Sequence, residues 1–83
     1  MKIRMTAIDM ICSFAADGIP TPIRWRIPDK PPVHVDRIAE RRQEKIAGIP
    51  TLIYRCQSII GDREWVYELK FEIPTHRWYL YKI

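Results

Sequence analysis

Between residues 64 and 73 the chain reads Glu-Trp-Val-Tyr-Glu-Leu-Lys-Phe-Glu-Ile, and large apolar side chains fall at every second place: Trp65, Tyr67, Leu69, Phe71 and Ile73. Glu64, Glu68, Lys70 and Glu72 fill most of the alternate positions, with Val66 as the exception. A period of two belongs to a strand with one face in a core and the other in water. A helix would scatter the same residues around its circumference. This stretch is therefore predicted to be the strand around which the rest packs.

The other segments repeat the theme. Residues 5–14 alternate weakly, with Ile8, Met10, Cys12 and Phe14 inward. Asp17-Gly18 forms a turn, and Pro20 and Pro22 keep the chain extended beyond it. Residues 22–27 place Ile23, Trp25 and Ile27 on one face and Arg24 and Arg26 on the other. Asp29-Lys30-Pro31-Pro32 turns the chain, after which Val33 and Val35 resume the apolar face. Gly48 and Pro50 break the chain before a strand over 51–60. Gly61-Asp62 closes a hairpin onto the central stretch, and Pro74-Thr75-His76 closes another onto a last strand over 77–83.

Residues 36–47 admit two readings. As a helix, Asp36 would be the N-cap and Gly48 would lie just past the end, with Ile38, Arg42 and Lys45 on one side, but the apolar stripe is thin. As a strand, Ile38 needs a bulge or bend to return to the core, and 39–45 projects beyond it as a polar ribbon. The strand is favoured; a short helix stays open.

Five or six short strands joined by tight turns imply an all-β fold, a bent antiparallel sheet closing into a small barrel, SH3-like first and OB-like second. At 83 residues the chain makes one domain, 1–83, with a modest stability margin. No stretch approaches the ~18 apolar residues of a membrane span, and the opening residues lead into no signal-peptide core. A cytoplasmic protein is expected. Cys12 and Cys56 sit in apolar surroundings and are expected to stay free thiols.

Catalysis and metal binding are not expected. There are only two histidines, His34 and His76, no serine in a glycine-rich elbow and no phosphate-cradling loop. Cys12, His34, Cys56 and His76 are spread along the chain, without the close pairs that structural zinc sites use. No cofactor is implied.

The charge balance, 14 basic residues against 10 carboxylates, points toward acidic partners. Arg24, Arg26, Arg37, Arg41, Arg42 and Arg55 are the candidate nucleic-acid contacts: if their strands neighbour one another, their guanidinium groups form one phosphate-binding patch. The plainer reading is a solvated surface neutralised by Glu40, Glu44, Glu68 and Glu72. Tyr79 and Tyr81, on the second parity of the last strand, are candidates for stacking on bases or for a protein interface. Homodimerisation would also suit so short a chain.

Several features also stand in a familiar order: an early Asp-Gly, Pro-Ile-Arg-Trp at 22–25, Val-Asp-Arg-Ile at 35–38, Ala-Gly at 47–48, Tyr-Arg-Cys at 54–56, Tyr-Glu-Leu at 67–69 and Arg-Trp-Tyr-Leu at 77–80. In this the chain resembles a family of small uncharacterised bacterial single-domain barrel proteins, some encoded beside lesion-bypass DNA polymerases. It departs from the pattern at 27–32 and at Ile49-Pro50. The resemblance implies a barrel without catalytic residues, and nucleic acid or a DNA-processing protein as partner. The expected function is a non-enzymatic interaction module working through its basic face, or alternatively through a sheet edge or aromatic groove.

Overall fold

The computed structural model describes all 83 residues as seven antiparallel strands and no helix: β1 (Ile3–Phe14), β2 (Pro20–Arg26), β3 (Val33–His34), β4 (Arg37–Ile46), β5 (Ile49–Ile60), β6 (Arg63–Glu72) and β7 (Arg77–Lys82). They form one sheet in the order β3-β2-β1-β7-β6-β5-β4, curled into a half-barrel. The all-β, barrel-like expectation holds, with seven strands in place of five or six. With no helix present, none is long and apolar enough to cross a membrane.

The core follows the period of two. Tyr67, Leu69 and Phe71 on β6 face inward with Tyr54 and Cys56 on β5, Trp78 and Leu80 on β7, Ile8 on β1 and Trp25 on β2. Tight turns set the register. Gly61 and Asp62 both take positive φ, 56° and 66°, which is the mirror-image turn that a two-residue hairpin loop requires. Ala47 and Gly48 do the same at 50° and 80°, joining Ile46 to Ile49.

The disputed segment is therefore a strand over Arg37–Ile46, and Ala39 is the bulge that returns Ile38 to the core. Its polar part does not project as a loose ribbon: residues 40–46 pair with β5 throughout. Pro50 lies inside β5 and does not break the chain. It sits opposite Lys45, and its carbonyl accepts the Ile73 amide at 3.1 Å.

Two expectations need correction. Ile23 is 40% exposed, because the β1–β2 register slips between Ile11 and Cys12, and Pro22 takes the inward place beside Trp25. Phe14, expected inward, is 56% exposed where β1 runs out into the loop. A third difference concerns the polar face of β6. Glu68 and Lys70 are only 1% and 2% exposed, since β6 is flanked on both sides and longer side chains fold across it.

The two ends of the sheet meet along a short seam, because β3 and β4 are consecutive in the chain. His34 pairs with Arg24 on β2, and three residues later Arg37 pairs with Gln57 on β5. Between them Val35 donates its amide to the Ile23 carbonyl and Asp36 donates its amide to the Gln57 carbonyl, at 2.9 and 3.0 Å. A buried relay runs beneath: Trp25 Nε1 donates to the Tyr67 hydroxyl at 3.1 Å, Tyr67 meets Ser58 Oγ at 2.5 Å, and Ser58 donates to the His34 carbonyl at 2.6 Å. Every polar atom in that relay is satisfied, as burial requires.

Candidate functional site

The outer face of β4, β5 and β6 is built around Glu68. Arg42 approaches it through two nitrogens at 3.1 and 3.4 Å, and Arg55 reaches it at 3.2 Å. Arg42 also holds Glu44 at 2.7 Å and Glu40 at 3.4 Å. Beneath lies Ile53, wholly buried, whose cross-strand partners are Arg42 and Lys70. Lys70 pairs with Glu72 at 3.3 Å and lies 4.9 Å from the Tyr79 ring. Burial tends to raise the Glu68 pKa, but hydrogen bonds and charge from Arg42 and Arg55 outweigh it and hold the carboxyl below its ordinary value. The same contacts, Glu68 first and then Glu44, raise Arg42. Two of the six candidate arginines are thus held in a structural ion network.

The other four are dispersed. Arg26 bridges Asp9 at 3.0 Å, and Arg24 lies opposite His34 on the far side of the seam. Arg37 heads β4, and Arg41 stands on the face opposite to Arg42 and Arg55. No carboxylate pairs with Arg24, Arg37 or Arg41. Tyr79 and Tyr81 lie on the outer parity of β7, half-buried, under Lys70 and Lys82 respectively.

No three of the histidines, cysteines and carboxylates stand close enough together to hold a metal ion. Both thiols are free, and burial pushes Cys56 up to about 12, far from the thiolate form that a nucleophile needs.

The feature with room for a partner is the gap where the half-barrel stays open. Past the seam, β4 pairs with β5 alone, and β2, paired with β1 on one side, has no strand on its other edge beside Pro20–Pro22. The Ala47-Gly48 turn fixes which amides are free. In a two-residue hairpin the flanking pair, Ile46 and Ile49, exchanges both hydrogen bonds, and bonding then alternates along the strand. Glu44, Arg42 and Glu40 accordingly bond to β5, while Lys45, Gln43 and Arg41 turn their N–H and C=O groups outward. Across the gap, Pro20 and Pro22 have no N–H to offer, so the chain's own β2 is a poor partner for that edge.

A groove of about 370 Å³ lies in this gap. Its apolar side includes Phe14, Phe71 and Ile73, and Arg41, Gln43 and His76 stand at its polar side. Phe14 meets Phe71 edge-on at 6.3 Å, and His76 stacks on Phe71 at 5.8 Å. The Tyr54 hydroxyl donates to the Pro20 carbonyl and holds the far wall in place. Sequence reasoning missed this site. Phe14 read as core, and the position of Arg41 on the groove face depends on the bulge at Ala39. The signal available was Phe14 standing directly before the Ala15–Gly18 turn, where a strand ends.

Fold and site together define a class: a small all-β half-barrel, sealed at one end of a seam and open beside a free edge strand at the other. No family model, no curated protein and no solved structure matches the chain.

Proposed function

We propose that this protein is a non-enzymatic interaction module that binds an extended segment of a partner protein along the free edge of β4. The observation that carries this reading is the outward-facing backbone of Arg41, Gln43 and Lys45 beside a groove containing the exposed Phe14. Main-chain pairing would supply affinity and the groove selectivity, as in other strand-addition modes. A long edge left unpaired also invites aggregation unless charged residues guard it, and β4 carries Glu40, Arg41, Arg42, Glu44 and Lys45.

A nucleic-acid contact is the second reading, supported by Arg24, Arg37 and Arg41 having no carboxylate partners. It is weaker than the strand-addition reading, because Arg26, Arg42 and Arg55 are engaged by acidic residues. The test is a titration of isotope-labelled protein with a degenerate pool of nonapeptides, read by backbone amide shifts and repeated with Gln43→Pro. The expected result is shifts at 41, 43 and 45 that disappear in the variant. Shifts confined to other strands, or binding indifferent to the proline, would overturn it.

A further inference from the structure

We infer that the segment recognised at the β4 edge is acidic and apolar in alternation: a large apolar side chain with a carboxylate two residues away on either side. The inference rests on the strand-addition reading and adds the chemistry of the partner.

β4 shows opposite chemistry on its two faces. On the outer face the cations are matched by carboxylates: Arg42 is bridged by Glu40, Glu44 and Glu68, and Arg55 by Glu68. On the groove face the row is Arg41, Gln43 and Lys45, two cations and an amide with no carboxylate. The nearest acidic residue of the facing loop, Asp17, is turned into its own turn, where it accepts the Ile19 amide at 2.9 Å. The cations on this row are therefore unmatched within the molecule, unlike those on the outer row.

The residues whose backbone is free are the same three whose side chains form the groove-face row. An incoming strand that pairs with Arg41, Gln43 and Lys45 places its own alternate side chains directly opposite them, since period-two alternation puts both sets on one face. Opposite Arg41 and Lys45 carboxylates are favoured and cations disfavoured. Opposite Gln43, the side chain is directed toward the apolar wall of Phe14 and Phe71. Spacing of two between apolar residue and carboxylate then follows from strand geometry.

A second copy of this chain is a poorer occupant by the same logic. An antiparallel β4–β4 pairing centred on Gln43 would set Arg41 against Lys45 of the other copy, and one centred on Arg41 would set the two Arg41 side chains face to face.

The test uses three labelled nonapeptides in fluorescence anisotropy: Ser-Thr-Glu-Thr-Phe-Thr-Glu-Thr-Ser, its counterpart with lysine for both glutamates, and its counterpart with alanine for phenylalanine. A labelled oligothymidine is the nucleic-acid control. The glutamate peptide is expected to bind roughly tenfold more tightly than the lysine peptide, about the yield of two cross-strand charge pairs. The alanine peptide should bind more weakly than its phenylalanine parent. In Arg41→Glu the charge preference should vanish or invert, with circular dichroism confirming the fold.

Equal affinity for the glutamate and lysine peptides, with amide shifts still at 41, 43 and 45, would overturn the acidic-partner inference and leave strand addition standing. Absence of shifts on β4 with every peptide would overturn the reading beneath it. Tighter binding of oligothymidine than of any peptide, lost in Arg41→Glu, would overturn both in favour of nucleic acid.

Discussion

The seam between β2 and the 33–46 segment has two ends built in opposite ways. At 33–37 the chain crosses from β2 to β5 under backbone bonds from Val35 and Asp36 and over the Trp25–Tyr67–Ser58 relay. Beyond the Ala39 bulge the same chain leaves β2 behind, and prolines face the edge it presents. Closure in so small a barrel is thus a local matter. A few satisfied polar atoms seal one end, and one extra residue with two prolines holds the other open.

The largest expected effect comes from attacking the bonded side of β4. Glu44→Pro removes an amide that bonds to β5 and should cost about 3 kcal/mol in urea unfolding, combining a lost ladder bond with proline's misfit inside a pair. At the sealed end, Tyr67→Phe strips the Trp25 indole of its acceptor and should cost about 2 kcal/mol by the same measurement.

Glu68→Gln comes next, at about 1 to 2 kcal/mol near neutral pH, below the full value of a broken buried pair because Arg42 and Arg55 are partly in water. Its pH dependence has a definite sign. The carboxyl of Glu68 is lowered in the folded state, so its contribution is present above the unfolded value of about 4.3 and is lost as pH falls through the still lower folded one. The gap between the wild-type protein and the variant should close in acid. Asp36, lowered by the Ile59 amide and by His34, adds to the acid sensitivity of the seam in the same direction.

Ala47→Gly should stabilise by about 0.5 to 1 kcal/mol, since alanine is held at a φ of 50° that glycine adopts freely. The smallest effect is expected at the open end, where Gln43→Pro removes an amide with no partner and should shift stability by less than about 0.5 kcal/mol. A loss as large as that of Glu44→Pro would mean that the edge is not free.

Much of this fold was legible along the chain. The alternation in 64–73 marked β6, and Gly61-Asp62 marked its hairpin with β5. What was hidden depended on single-residue slips and on strand order. The bulges at Ile23 and Ala39 each exchange inward for outward; the need of Ile38 to return to the core pointed to the second, but nothing local announces the first. Glu68 and Lys70 read as solvated because alternation distinguishes faces but does not say what lies across them. For the candidate site, the sequence supplied the arginines and the idea of a sheet edge. Which arginines Glu68 would engage, and which edge would stay free, are properties of neighbours far apart in the chain.

The most direct measurement is amide hydrogen exchange of the dilute protein, read residue by residue. The amides of Val35 and Asp36 should exchange only through global unfolding. Along β4, slow exchange at 40, 42 and 44 should alternate with fast exchange at 41, 43 and 45. Uniform protection along β4 in dilute solution would contradict the account, because it would show that the edge already has a partner.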